Sequence, residues 1–577
     1  MKTTRNTLLL WLAYGAILSF MASARAQQRT YCNPINIDYT YMIYNSYKDM
    51  SYRSGADPAV VKFRNAYYMF VTRSMGYWRS TDLNHWEFIV PEKWYFQGSN
   101  APAAFNYRDS LLYVAGDPSG QMSILYTDNP KKGDWKATPG ILTRLQDPAL
   151  FIDDNDEAFV YWGSSNKFPI RAKKLEMADR FKPSEETYEL FNLKPDEHGW
   201  ERFGENHRDT ILSGYIEGPW MTKHKDTYYL QYGAPGTEFD VYADGVYTSS
   251  SPLGPFEYAA HNPFSYKPGG FINGAGHGST VVGPWETYWH FASMAVNVTV
   301  GWERRIGMFP TFFDKDGTMH SNTRFGDYPH HAPSVPHKNG SFTGWMLLSY
   351  KKPVSTSSAL KGHEASNLVD EDVQTFWVAE SNKKGEQVEI DLLRPSLVKA
   401  IQVNYNDYNS NLYGKIEGLH HRYLIEGSLD GQRWMPLVDQ RNNFKDVPND
   451  YNEVHGKEKI RYIRYTNYHV PTPHLSVSDI RVFGLGSGKS PKAVKKGNIV
   501  RGKDRRTAMV SWDPVPKADG YNVLWGIAPD KLYSSWMVYG DNALDLRSLN
   551  TDQSYYFTIE AFNENGVSET SEVIKVK

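Results

Sequence analysis

The chain has 577 residues, with 63 Lys and Arg against 65 Asp and Glu, for a formal net charge of −2. So mild a balance gives no case for nucleic acid or an anionic membrane surface as a partner. A single cysteine, Cys32, excludes an internal disulfide, so stability must come from packing.

Residues 1–26 begin with Lys2 and Arg5, continue through LLLWLAYGAILSFM and end in Ala24-Arg25-Ala26. A basic start, a short apolar run and an A-x-A site predict a secretory leader, hence export to the periplasm or the extracellular space. No later run approaches the ~18 apolar residues of a membrane span. Cys32 stands several residues too late for a lipid anchor. Losing the leader removes Lys2, Arg5 and Arg25 and moves the formal charge to −5.

From residue 54 a pattern recurs: a small or acidic residue, then Pro or Gly, an apolar run, a turn and an aromatic-rich second run. Asp57 opens DPAVVKFRNAYYMFV, Ala101 opens APAAFNYRDSLLYVAG, and Asp147 opens DPALFIDDNDEAFVYWG. Glu217 opens EGPWMTKHKDTYYLQYG and His277 opens HGSTVVGPWETYWHFAS. Each is a β-hairpin signal, and five of them, 44, 46, 70 and 60 residues apart, predict a five-bladed β-propeller. The first strand of each blade lines the central channel, so the ring about the axis is Asp57, Ala101, Asp147, Glu217 and His277. An Asp-Pro or Glu-Gly step is also an ordinary turn signal. Three carboxylates at one repeat position are different, because like charges repel and are costly to bury.

The motifs A-D-P-A-V, Q-D-P-A-L-F and I-E-G-P-W, in this order, with R-S-T-D-L-N-H-W-E, Y-T-D-N-P and G-H-G-S-T between and after them, resemble glycoside hydrolase family 43 over about residues 40–350. The resemblance implies Asp57 as general base, Asp147 as the carboxylate that tunes pKa, and Glu217 as general acid. It implies His277 as an axial histidine beside a water-coordinated ion; calcium, axial or structural, is the ion considered, the metal is unknown, and no cofactor is required. It also implies that Arg304 or Arg305, in Gly301-Trp302-Glu303-Arg304-Arg305, reaches the sugar pocket; an ordinary salt bridge is the competing reading. The implied reaction inverts the anomeric centre, with Asp57 and Glu217 ~6.5–9.5 Å apart. Cleaving an acetal needs one carboxylic acid still protonated near neutrality and one carboxylate that activates water. Asp147 beside Glu217 would raise the acid's pKa by like-charge repulsion.

Aromatic residues make up 15% of the chain, with 40 Tyr and 17 Trp, through blade packing or sugar stacking. Trp86 is assigned to sheet packing. Trp78, Trp162 and Trp220 are candidates for the substrate wall, with Trp220 preferred because it follows Glu217 directly; core packing is the alternative for each. Two features depart from the commonest pattern of the family. The long spacer between Asp147 and Glu217 contains KPDEHGWERFGENHRD, predicted as a loop over one mouth of the channel. Its His198, Glu205 and His207 lack metal-ligand spacing. Blade two contributes only Ala101, a gap in the ring.

HHAPSVPHKNG, residues 330–340, marks a boundary, after which FTGWMLLSYKK either closes the propeller or leads into the next unit. N-L-V-D-E-D-x-x-T-F-W and S-D-I-R-V-F-G resemble the discoidin-like (coagulation factor type C) β-sandwich, the fold of family 32 carbohydrate-binding modules; Trp377 is assigned to its core. GSGKSPKAVKKG predicts a flexible linker. TAMVSWDPVPKADGYNVLWG and LNTDQSYYFTIEAFNENGVSE resemble a fibronectin type III domain, with Trp512, Tyr555, Phe557 and Ile559 inward. The expected order is all-β: propeller 27–350, discoidin-like sandwich 351–486, linker 487–497 and fibronectin type III sandwich 498–577.

The leading function is an exo-hydrolase of plant cell-wall oligo- or polysaccharide, an α-L-arabinofuranosidase or β-xylosidase. An endo-arabinanase or a galactan-directed exo-enzyme stands second. A non-catalytic glycan-binding protein stands third, opposed by the intact carboxylate ring. Oligomeric state is left open.

Overall fold

The computed structural model describes residues 29–43, 50–92, 99–116, 121–138, 142–143, 145–177 and 181–577; the expected leader at 1–26 lies outside them. Apart from four short 3₁₀ turns, the described elements are all strands. No helix among them is long and apolar enough to cross a membrane.

Five antiparallel units surround a channel. Blade 1 runs outward from Ala59–Phe63 through Ala66–Phe70 and Tyr77–Ser80 to Glu87–Ile89, and blade 2 from Asn100–Tyr107 through Ser110–Gly116 and Leu125–Thr127 to Lys136–Ala137. Blade 3 is built on Ala149–Ile152, Ala158–Trp162 and Ile170–Glu176. Blade 4 is built on Ile216–His224, Thr227–Ala234 and Ala243–Ser249. Blade 5 is built on Asn273–Val282, Tyr288–Ala295, Arg304–Phe313 and Met319–Ser321.

The period-2 alternation of each strand supplies both of its faces. In Ala158–Trp162, Phe159 and Tyr161 pack toward Tyr228, Leu230 and Tyr232 of blade 4. Ala158 and Val160 pack toward Ala103, Leu112 and Val114 of blade 2. Blades 5 and 1 are stitched together by Ser279, whose hydroxyl donates to Pro58 O at 2.6 Å and accepts from Val60 N at 2.9 Å.

Met346–Leu347 pairs with Ser476–Leu485, so FTGWMLLSYKK leads into the second unit rather than closing the propeller. That unit is a β-sandwich in which the long strand Gln387–Tyr405 pairs with Ile460–His469 in its first half and with Ser476–Leu485 in its second. Trp377 is fully buried in its core, as expected. At the C-terminus, Gly497–Arg501, Ala508–Trp512 and Ala543–Leu546 form one sheet, and Gly520–Gly526, Ser534–Tyr539 and Tyr555–Asn563 belong to another. Trp512, Tyr555, Phe557 and Ile559 are buried between them.

Two expectations are corrected. The segment 487–497 is held rather than free: Gly488 N donates to Asn565 Oδ1 at 2.6 Å, and Val494 is buried in the C-terminal core. The spacer KPDEHGWERFGENHRD docks the C-terminal sandwich onto the propeller instead of only covering the channel. Gly199 N donates to Leu549 O at 2.9 Å, Arg202 pairs with Asp504 at 3.0 Å, and Arg208 pairs with Asp545 at 3.3 Å. Its charges look solvent-bound in sequence because their partners lie some 300 residues away.

Candidate active site

The inner strands enter the channel through a recurring kink. Asp57, Ala101, Asp147 and His277 have φ of +55°, +39°, +48° and +46°, and in blade 4 the same backbone state falls on Gly218, at +58°, one residue after Glu217. Left-handed backbone costs a non-glycine residue roughly 1–2 kcal/mol. The repeat therefore stores strain at the mouth of the channel, where it turns side chains toward the axis. At Gly218 a Cβ would lie 2.4 Å from His277 Cδ2, so only glycine lets the histidine sit beside Glu217.

His277 stands between the carboxylates. Its Nδ1 is 3.4 Å from Asp57 Oδ1 and 3.9 Å from Asp147 Oδ2. Among the described residues, Asp147, Glu217 and His277 form the one group of possible metal ligands, with ligand atoms within 4.8 Å of one another. Calcium takes six to eight oxygen ligands. Two carboxylates and one imidazole nitrogen would hold such an ion only with waters completing its shell.

Four polar neighbours that the sequence reading missed hold Asp57, Glu217 and His277 in place. Thr72 Oγ1 donates to Asp57 Oδ2 at 2.6 Å and accepts from Ala101 N at 2.8 Å, so blade two contributes backbone where its side chain leaves a gap. Tyr242 donates to Glu217 Oε1 at 2.6 Å, and Ser164 lies 3.2 Å from Oε2. Asp244 accepts from His277 N at 2.6 Å and Gly278 N at 2.8 Å, fixing the histidine's backbone. Nothing in the repeat distinguishes these residues from other strand polar residues.

Burial opposes ionisation of all three carboxyls, and their partners separate them. At Asp57, His277, Arg304 and the Thr72 and Ser293 hydroxyls outweigh burial and hold the carboxyl below its usual range. At Asp147, burial, reinforced by Glu217 and Asp57, pushes the pKa up to about 8. Glu217 is also raised, by burial first and by Asp57, against His277, Tyr242 and Ser164. The expected rise at Glu217 is present, but burial leads it rather than Asp147. His277 is raised, because the surrounding carboxylates outweigh burial.

Arg304 is the arginine that faces the site. Its Nη1 reaches Thr237 Oγ1 at 2.8 Å and Asp57 Oδ1 at 3.4 Å. Arg305 is corrected to a structural role: its Nη1 donates to Arg53 O at 2.7 Å and its guanidinium lies over Tyr39. Alternation along the strand sends the two neighbours to opposite faces. Trp78 is also corrected. It is 1% exposed on the third strand of its blade, packs on Phe88 and donates to Asp38 Oδ1 at 2.6 Å, away from the channel. Trp86 packs on Phe291 of blade 5 as expected. Trp162 is half-buried in the apolar layer between blades 2 and 3. Trp220 crosses the channel to the apolar residues of blades 1 and 2, and its Nε1 donates to Thr280 O at 3.3 Å.

Residues 51–319 match the family model described as glycosyl hydrolases family 43. The chain carries a family 43 glycoside hydrolase domain. Residues 353–474 match the F5/8 type C domain, which places the discoidin-like sandwich behind the family 43 domain. Among characterised proteins, the arabinoxylan arabinofuranohydrolase of Bacillus subtilis (strain 168) is 27% identical over 192 residues, covering 30% of this chain and 35% of that protein. The chain thus aligns with about a third of that relative's length. Among solved structures, a glycoside hydrolase aligns at 18% identity and a TM-score of 0.43, over 74% of this chain and 97% of that one. A thermostable family-43 glycoside hydrolase aligns at 20% identity and a TM-score of 0.42, over 53% and 100%.

Proposed function

We propose that this protein is an exported, inverting glycosidase that removes side-chain sugars from plant cell-wall polysaccharide, as an α-L-arabinofuranosidase or β-xylosidase. The observation that carries the reading is the asymmetry of the carboxylates: Asp57 is held ionised while Glu217 and Asp147 are held toward protonation in one buried cluster. Asp57 takes a proton from a water whose oxygen attacks the anomeric carbon. Glu217 gives its proton to the glycosidic oxygen as that carbon–oxygen bond breaks. Tyr242 donates to Glu217 Oε1 and Ser164 to Oε2, so both hydroxyls steady the carboxylate that is left once the proton has gone. His277 and Arg304 keep the base charged, and after the product leaves, Asp57 loses the proton it took and Glu217 regains one by exchange with solvent. The mechanism requires no cofactor. The arabinose side is favoured by the likeness to the arabinoxylan arabinofuranohydrolase of Bacillus subtilis. The C-terminal sandwich is proposed to be a fibronectin type III spacer, from its two facing sheets.

The test is hydrolysis of aryl α-L-arabinofuranoside, β-D-xyloside and β-D-galactoside, alongside polymeric arabinan, by the mature protein and by Glu217→Gln and Asp57→Asn. Release of one monosaccharide, reduced by at least about 10³-fold in both folded variants, is expected. Activity on arabinan alone would move the reading to an endo-enzyme. Near-wild-type turnover in either variant would refute the residue assignment.

A further inference from the structure

Two tryptophans of blade 5 are half or more exposed, at opposite ends of the blade. Trp285, 64% exposed, lies at the end away from the carboxylates, and its Nε1 donates to Ser334 O at 3.1 Å. Trp302, 50% exposed, lies in the turn at the carboxylate end, between Tyr288–Ala295 and Arg304–Phe313. A single exposed aromatic is by itself ordinary. What surrounds Trp302 is not.

Its backbone is fixed on both sides. The Trp302 carbonyl accepts from the Ser54 hydroxyl at 2.8 Å, and Gly55 N donates to Arg304 O at 3.0 Å, which ties the turn to the segment that delivers Asp57. Within the turn, the buried Glu303 carboxylate accepts from Val298 N at 3.2 Å and Thr299 N at 3.0 Å. Asn297 Nδ2 donates to Glu238 O on the neighbouring loop. The indole itself lies over the Arg304 guanidinium, with Cζ 5.7 Å from the ring centre. Arg304 is only 8% exposed; among the described residues its Nη1 is engaged by Asp57 and Thr237, and its Nε has no partner.

The site therefore presents a pre-positioned aromatic face beside a buried guanidinium with donor capacity to spare, both next to the base. That combination suits a neutral sugar. The C–H bonds on one face of a sugar ring carry partial positive charge and meet the negative π face of indole. The hydroxyls on its edge accept from a guanidinium that is otherwise under-used. A side chain already held in place loses little freedom on binding.

We propose that Trp302 is the aromatic platform on the Asp57 side of the pocket, stacking the apolar face of a substrate sugar ring whose hydroxyls Arg304 engages. The platform rests on the glycosidase reading above and adds a specificity-determining residue to it. Trp302 was not among the tryptophans, Trp78, Trp162 and Trp220, that the sequence suggested for the substrate wall.

The test uses the full mature chain with whichever aryl glycoside the panel shows to be cleaved, comparing wild type, Trp302→Ala and Trp302→Phe. In parallel, calorimetry measures binding of a neutral pentose oligosaccharide to Glu217→Gln and to Glu217→Gln/Trp302→Ala. Trp302→Ala is expected to raise KM about tenfold with kcat changed less than about threefold, and to weaken oligosaccharide binding by a similar factor. Its melting temperature should match wild type, and Trp302→Phe should recover most of the loss. An unchanged KM in Trp302→Ala, or a loss that Phe does not restore, overturns the platform while leaving the glycosidase intact. An inactive wild type overturns the glycosidase reading and the platform with it.

Discussion

Replacing Tyr242 with Phe removes one oxygen from the acid's environment and little else. The ring is held by backbone on both sides: a Cβ on Gly276 would stand 2.8 Å from Tyr242 Cδ1, and one on Gly233 would stand 2.8 Å from its hydroxyl. Phenylalanine therefore keeps the same position. The hydroxyl donates to Glu217 Oε1 at 2.6 Å in a fully buried setting and favours the charged carboxylate. Hydrogen bonds to charged groups contribute about 1.5–3 kcal/mol, and one pKa unit corresponds to about 1.36 kcal/mol. The full effect is about 1–2 units, and Ser164, which stays at 3.2 Å, brings the expectation down to about 1 unit. The sign is upward, since the anion loses its donor and the proton becomes harder to remove. The assay is kcat/KM against pH from 5 to 10. In Tyr242→Phe the descending, high-pH limb should move up by about one unit. Asp57, held below its usual range by His277, Arg304 and Thr72 against burial, stays ionised across this window in both proteins, so the low-pH side of the profile should be unchanged. A descending limb that stays put or moves down in a folded variant would refute Glu217 as the proton-carrying acid.

Two further outcomes follow from packing and backbone. Ala101→Gly relieves a left-handed residue at φ +39° that carries no functional side chain. Against about 1–2 kcal/mol of strain, glycine's extra unfolded-state freedom costs about 0.5–1 kcal/mol. Denaturant unfolding should thus show a gain of about 0.5–1 kcal/mol, and a loss would mean that the kink is not strained. Arg53 is fully buried and pairs with Asp407 at 3.1 Å and with Asp446, both in the discoidin-like sandwich. Arg53→Ala leaves both carboxylates without their shared arginine, with only the Tyr41 hydroxyl on Asp407 and His421 beside Asp446, so chemical denaturation should show a loss of about 3–5 kcal/mol. A change below about 1 kcal/mol would mean that the two units are not coupled through this arginine.

The repeat of short apolar runs after Asp57, Ala101, Asp147, Glu217 and His277 was enough to specify an all-β propeller, because a radial fold repeats one local pattern and each blade is written in contiguous sequence. For the same reason the ring of inward side chains could be read directly, and the αL backbone now seen at four of those positions explains why that register recurs. Trp377, Trp512 and Tyr555 were also legible, since alternation within one strand decides which face is buried. The choice between Arg304 and Arg305 was not, because adjacent residues in a strand differ only in facing, and facing depends on which side the channel lies. Trp78 failed similarly: its position near a loop said nothing of the Asp38 and Phe88 that enclose it.

The remaining decisions belong to tertiary structure alone. Thr72, Ser164 and the pair Tyr242 and Asp244 come from different blades and meet the carboxylates and His277 only when the ring closes, so no spacing announces them. The charged spacer became a docking surface because Asp504 and Asp545 fold back onto it from the far end of the chain. The sequence by itself determined which acids meet at the axis, since local pattern places them there. The tertiary structure decided which of them holds the proton, because burial, hydrogen bonds and neighbouring charge act through space and not along the chain.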